Sequence, residues 1–264
     1  EMSDCRIQAV LAFEDNYIWL IENQMTTIII DPGSSQEVLA YLQKNQLTPS
    51  AILVTHHHDD HTGGVRDLLI QYKNCALYAH ANHGFDDIPK VNLVDEGDHF
   101  AVGDICFQVW RTAGHTDSHL SYVTEIDQKT RVFCGDTLFS AGCGRVFTGT
   151  ISQLFASMKR FNDMDEQTVF YPAHEYTVSN LKFAKSVALD EHQDAIKHAT
   201  HIAITQRQNN QMTLPVSLAH ERQINVFLHA CDDNKAKQLA NQHGLNDNSA
   251  LAVFRWLREQ KNHF

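Results

Sequence analysis

What the chain lacks narrows it first. No two of its six cysteines (5, 75, 106, 134, 143 and 231) have CxxC spacing, and a chain of 264 residues has no need of a disulfide framework. The thiols are therefore expected to be free, as in a reducing cytosol, and the expected location is cytoplasmic. Long apolar runs are missing as well. "TTIIID" and "SAILVTH" are far too short to span a bilayer, so no membrane partner is expected. No charged stretch followed by an apolar one opens the chain, and no secretory signal is read there; Glu1, ahead of Met2, reads as an addition to the natural start. Positive charge is in deficit, with 21 Lys and Arg against 32 Asp and Glu and a formal net charge of −11. That balance argues against a broad phosphate-binding face, and no nucleic-acid partner is expected. It leaves a local basic pocket open. A monomer is expected.

Histidine, by contrast, is abundant: there are 17. Four of them crowd with two aspartates into "VTHHHDDHTGG", residues 54 to 64. Along an extended segment alternate side chains share a side, so His56 and His58 can reach one point while His57 faces elsewhere. Asp60 and His61 follow where the chain turns, and address a neighbouring point. His57 and Asp59 are read as supporting or solvent-facing groups.

The first two thirds of the chain read as short β-rich runs with a few helical segments between them. Expected strands are 7–12, 17–22, 26–30, 51–55, 76–79, 106–112, 120–124, 131–134 and 168–171, with helices over 36–46, 64–72 and 152–162. After Pro172 the texture changes to polar and helical: one segment over 177–209, then two more near 234–243 and 249–261. Four strand ends finish in polar chemistry. "AILVT" runs into the His cluster, "CFQVWRTAG" into His115, "RVFCG" into Asp136 and "VFYPA" into His174. Strand ends deliver side chains rigidly to one edge of a sheet, as a site of fixed geometry requires.

Imidazoles and carboxylates without thiolates suit zinc, iron or manganese. Structural zinc is usually Cys-rich and mononuclear, which this set is not. Two ions could be held if one aspartate bridges, and Asp136, with its two oxygens, is the natural shared ligand. Such a pair, roughly 3.5–4 Å apart, can hold a hydroxide nucleophile and polarise a carbonyl together.

"THHHDDHTGG", "TAGHTDSH", "FCGDTLF" and "PAHEYT", in this order, resemble the metallo-β-lactamase superfamily. Further stretches, "FEDNYIWLIE", "CGRVFTGT", "AHEYTVSNLKFA" and "WLREQKNHF", make nearly the whole chain similar to the glyoxalase II (hydroxyacylglutathione hydrolase) family. The resemblance implies an α/β fold: an αββα metallo-β-lactamase sandwich in residues 1–172, followed by a smaller α-helical, substrate-binding domain in 173–264, with His174 at the junction. It implies two divalent metal ions, zinc first, with iron or manganese as alternatives. His56, His58, His115 and Asp136 would hold the first, and Asp60, His61, His174 and Asp136 the second. Glutathione contacts would fall to Arg145, Phe147, Tyr176, Arg258 and Lys261, the last two at the glycine carboxylate. Phe147 lacks the hydroxyl that some relatives carry there, and His229 stands where relatives can carry Arg; His229 is given no role.

The implied substrate is a glutathione thioester, S-D-lactoylglutathione or another S-2-hydroxyacylglutathione, in the second step of methylglyoxal detoxification. A thioester suits such a site, since the leaving thiolate has a conjugate-acid pKa of about 8.5 and departs without much help from an acid. Asp60 would orient the attacking metal-bound hydroxide as well as ligate, and Gly63 and Gly64 would permit the tight turn into the next helix. The intact second ligand set and the helical tail count against a mononuclear sulfur dioxygenase of the same superfamily. The net charge counts against a nuclease. A non-catalytic metal protein would close its coordination shell, where a hydrolase keeps positions for water. Arg258 and Lys261, three apart on the last helix, are expected to be exposed, with little influence on stability.

Overall fold

A computed structural model describes residues 4–264, so the opening Glu1–Met2 pair lies outside the described residues. The β-branched and aromatic runs become strands. β1 (Arg6–Ala12), β2 (Asn16–Glu22) and β3 (Thr27–Ile30) pair antiparallel. After helix α1 (Ser35–Lys44), β4 (Ala51–Leu53) joins β3 in parallel. Short α2 (Asp59–Thr62) and α3 (Val65–Gln71) lead to β5 (Ala76–Ala79) and β6 (Asn92–Leu93), which extend the sheet in the order β1 to β6. Helices are needed here because parallel neighbours require a crossover. Val38 and Leu42 of α1, with Val65 and Leu68 of α3, are fully buried in one cluster with Leu20, Ile29 and Ile52. Each such side chain contributes roughly 1.5–3 kcal/mol.

Strands β7 (His99–Val102), β8 (Ile105–Arg111), β9 (Leu120–Ile126) and β10 (Lys129–Gly135) form an antiparallel meander. It meets the first sheet through aromatic packing. Tyr78 of β5 stacks on Phe100 of β7 at 3.9 Å, and Tyr122 of β9 donates its hydroxyl to Val54 O at 2.6 Å. The start of β9 is tied to the end of β4, with Leu120 N donating to Thr55 O at 2.7 Å.

These strands make up one compact unit, residues 4–112 with Ser118–Gly135; the other comprises Ala113–Asp117 and Asp136–Phe264. In the second unit a small hairpin, β11 (Leu138–Phe139) and β12 (Gly142–Cys143), precedes α4 (Ile151–Asn162). A capping box between Thr150 and Gln153 starts α4. Then come β13 (Val169–Pro172), α5 (Thr177–Val187), α6 (Asp190–Gln208) and β14 (Val216–Ser217). The chain ends in α7 (Leu218–Ile224), α8 (Val226–His229), α9 (Asp233–His243) and α10 (Ala250–Asn262). None of the described helices is long and apolar enough to cross a membrane.

The structure departs from expectation in several places, among them the short strands β6, β7, β11, β12 and β14, which were not expected. The helical stretch 177–209 is broken, because Ala188 and Leu189 turn extended (ψ 154° and 153°) and are buried as a corner between α5 and α6. Strand β4 stops at Leu53, since Thr55 gives its amide to Asp31 Oδ1 rather than to a neighbouring strand. Helices α7 and α8 were not expected at all.

Candidate metal centre

In the first unit, the loop after β4 brings His56, His58, Asp60 and His61 together. The His56 ring lies 4.8 Å from His58 and 4.1 Å from His61, centroid to centroid. His56 and His61 are fully buried, and Asp60 Oδ2 stands 3.4 Å from His61 Nε2. Two of the imidazoles, those of His61 and His56, are oriented through Nδ1. His61 Nδ1 meets Asp31 Oδ2 at 2.9 Å, and His56 Nδ1 meets Thr55 Oγ1 at 2.9 Å. Thr55 is itself held by Asp31, through N to Oδ1 at 2.7 Å and Oγ1 to Oδ2 at 2.5 Å. Donor atoms of Asp31, His56 and His61 all lie within 4.8 Å of one another. Carboxylate-to-imidazole contacts of this kind fix the tautomer and ring direction of a metal ligand.

Asp60 is steadied by Asn16, whose Nδ2 donates to its backbone O at 3.1 Å and to Oδ2 at 3.2 Å. His57 and Asp59 stay outside this group. Asp59 is exposed at the head of α2, and His57 leans edge-on against His58. Gly63 and Gly64 have φ of −59° and −95°, so no turn demands glycine there. What demands it is close approach. A Cβ at Gly63 would stand 2.6 Å from Gly33 O, and one at Gly64 2.5 Å from Ser35 N.

In the second unit, His115, Asp136 and His174 converge. His115 Nε2 lies 3.3 Å from one oxygen of Asp136, and His174 Nε2 lies 3.3 Å from the other. All three are buried. His115 Nδ1 is 2.6 Å from Arg145 O, which fixes its ring. Tyr176 stacks face to face on His174 at 4.8 Å, and Phe147 stands edge-on to His115 at 5.2 Å.

The same unit holds a cavity of about 360 Å³ lined by His115 and Asp136 together with Phe147, Tyr176, Arg145, Arg258 and Lys261. The five residues expected to contact substrate are thus in one place. Burial, then the charges of Arg258 and Arg145, push the Lys261 ammonium below its ordinary pKa. Three cations in one cavity repel one another and are relieved by an anion. Arg258 departs from expectation: it is 7% exposed, not a surface residue. Its Nη1 donates to Cys143 O at 2.7 Å and Gly144 O at 3.3 Å, and its guanidinium lies 5.5 Å from the Phe227 ring centre. Helix α10 buries Val253, Phe254 and Leu257, and Arg258 follows them inward.

The profile of the metallo-beta-lactamase superfamily matches residues 12–174, and that of the hydroxyacylglutathione hydrolase C-terminus matches residues 175–264. The chain belongs to the hydroxyacylglutathione hydrolase family. It is 44% identical to a hydroxyacylglutathione hydrolase of Neisseria meningitidis serogroup C over 98% of both chains. It is 43% identical to one of Yersinia enterocolitica over 97% of this chain and 98% of that one. Its fold is that of the superfamily, with a helical C-terminal part. A metallo-beta-lactamase from Staphylococcus aureus superimposes on 98% of this chain and 72% of its own, with TM-score 0.64 and 19% identity. The structure of TTHA1623 in a di-iron-bound form covers 64% of this chain and 91% of its own, with TM-score 0.52 and 29% identity.

Within this hydrolase family member, one group near the ligands, Asp31, went unread in the sequence, while His119, close to His115 in "GHTDSH", was legible there as a candidate supporting group. Asp31 closes "TTIIID", a fifth strand end finishing in polar chemistry; the signal was there, without a histidine to mark it. His119 is fully buried, stacks on His56 at 4.8 Å and meets Thr112 Oγ1 at 3.1 Å.

Proposed function

We propose that this protein hydrolyses glutathione thioesters, S-D-lactoylglutathione and other S-2-hydroxyacylglutathiones, to glutathione and a 2-hydroxy acid, the second step of methylglyoxal detoxification. One observation carries the reading. Ligand-type side chains, His115 and Asp136, share a cavity with the cations Arg145, Arg258 and Lys261. A substrate with an electrophilic carbonyl near one and a carboxylate near the other fits that cavity, and a glutathione thioester has both.

The donor set of imidazoles and carboxylates fits zinc, and iron or manganese equally. On this reading His56, His58, His115 and Asp136 hold one ion, and Asp60, His61, His174 and Asp136 the other. The imidazole on each oxygen of Asp136 supports its bridging role. Bound divalent ions supply Lewis acidity and lower the pKa of water towards ~7. Asp60, steadied by Asn16, orients the attacking water towards the thioester carbonyl. His61 keeps its direction through Asp31. Tyr176 and Phe147 wall the cavity beside His174 and His115. Lys261 and Arg145 meet the glutathione carboxylates, while Arg258 adds its charge from within the wall. The leaving thiolate needs no acid.

Residues 1–172 are read as the catalytic part and 173–264 as the substrate-binding part of a cytoplasmic monomer. The test is hydrolysis of S-D-lactoylglutathione, followed by loss of thioester absorbance, with metal measured on the same sample. Turnover that rises with bound metal is expected. A metal-replete protein that leaves the thioester intact refutes the reading.

A further inference from the structure

The hairpin of β11 and β12 gives Phe139 and Cys143 to the cavity wall. Each of its strands is two residues long, and the turn between them places Ala141 at φ 58°. That left-handed conformation crowds a Cβ and persists only where the surroundings enforce it. Three buried polar side chains do so. Glu221 of α7 accepts Ala141 N–H through Oε1 at 2.7 Å and the Ser140 hydroxyl through Oε2 at 2.8 Å. Asn225, between α7 and α8, donates from Nδ2 to Phe139 O at 3.2 Å, Gly142 O at 3.1 Å and Glu221 Oε1 at 3.1 Å. Asn180 of α5 donates to Ser140 O at 3.1 Å.

What the hairpin carries depends on that hold. The Phe139 ring packs edge-on against Tyr176 at 4.9 Å and His174 at 5.8 Å. Cys143 O, at the other end of the hairpin, receives Arg258 Nη1. A shift of the turn would therefore move an aromatic wall and a cation together. Glu221 and Asn225 are both 0% exposed, and a buried carboxylate is costly unless its oxygens are engaged, as these are.

We propose that Glu221, with Asn225, is a positioning residue that pins this hairpin so that the cavity is preformed for the glutathione moiety. The proposal rests on the thioester-hydrolase reading. Holding a site in its bound shape lowers the cost of binding without touching the reacting bond. The signature is a change in KM and Kd with little change in kcat.

Glutamine can keep all three bonds, with Oε1 accepting from Ala141 and Asn225 and Nε2 donating to Ser140 Oγ. Leucine keeps the volume and none of the bonds. The experiment measures S-methylglutathione binding by calorimetry, steady-state kinetics and backbone hydrogen exchange on metal-loaded protein. Glu221→Gln should stay within about twofold of wild type in Kd and KM. Glu221→Leu should raise both about tenfold, with kcat changed less than about threefold. The Ala141 amide should exchange faster in Glu221→Leu while the slowest core amides keep their protection, which general destabilisation would not allow. Ser140→Ala, a milder change, should move Kd and Ala141 exchange in the same direction. A folded Glu221→Leu with wild-type Kd and wild-type Ala141 protection overturns the proposal. If Glu221→Leu does not fold, an unchanged Ser140→Ala does so instead. Failure of the wild type to bind S-methylglutathione would fell the thioester reading and, with it, the glutathione role given to Glu221. Exchange at Ala141 still reports separately whether Glu221 pins the hairpin.

Discussion

Arg258 carries its charge inside the protein, shared between two carbonyls of the hairpin's exit strand. Truncating it leaves those carbonyls short of a donor and opens space beside Phe227. Arg258→Ala should therefore cost about 1.5–3 kcal/mol of stability, the range for a hydrogen bond to a charged group. Lys261 is half-buried and meets no such carbonyls among the described residues, so Lys261→Ala should stay within about 0.5 kcal/mol yet raise KM about tenfold. Denaturant unfolding run beside kinetics separates the two. Equal stability of both variants would show that Arg258 is not structural. Glu221 gives a pH signature of its own. Burial raises its pKa from 4.5 to about 7, outweighing the bonds from Ala141, Asn225 and Ser140. An acid with a raised folded pKa adds stability that is full below 4.5 and is lost as pH climbs through about 7. At 1.36 kcal/mol per unit the loss is about 3 kcal/mol. Glu221→Gln should remove that slope and be the more stable protein at pH 8. A wild-type slope in the variant, by melting at several pH values, would assign the titration elsewhere.

At the scale of elements, backbone packs directly on backbone around the His loop. A Cβ on Gly33 would stand 1.8 Å from Asp60 O, and Gly64 N donates to Pro32 O at 2.8 Å. Gly33→Ala must push α2 away, displacing Asp60 and His61. It should cut metal affinity by tenfold or more, in the range found when the support of a ligand is lost. Metal titration of the purified variant checks this, and wild-type affinity would refute it. Much of this level was legible beforehand. The run 76–79 became a strand at those limits, and 17–22 one that starts a single residue earlier, because β-branched and aromatic residues bounded by turns favour little else. The convergence of His56 with His58 followed from alternation along an extended segment. The break at Ala188–Leu189 was not legible, since neither Gly nor Pro marks it and the corner is made by burial. Helix α7 had a local signal, Ser217 capping His220 N at 3.1 Å, but polar residues masked its apolar face. The inward turn of Arg258 depends on Cys143, 115 positions earlier, which no local pattern conveys.

Taken as a whole, the chain is an acidic protein, net −11, with three cations in one cavity and its proposed ligands spread from His56 to His174. Ions held by ligands this far apart in sequence bind the folded chain and not the unfolded one, so removing them must cost stability as well as activity. At free metal a thousandfold above Kd the contribution is about 4 kcal/mol, which for a chain of this length corresponds to roughly 10 °C in Tm. Chelation should lower Tm by that order and abolish thioester hydrolysis, and added zinc should restore both. The count of ions tests the bridge. Asp136 is flanked by imidazoles on both oxygens, and an amide offers only one oxygen where the carboxylate offers two. Asp136→Asn should therefore fall from two bound ions per chain towards one, with most of the activity lost. Elemental analysis of both proteins after dialysis decides it. A wild type that is fully active with one ion, or an Asp136→Asn variant that keeps two and turns over normally, would remove Asp136 from the centre of the mechanism.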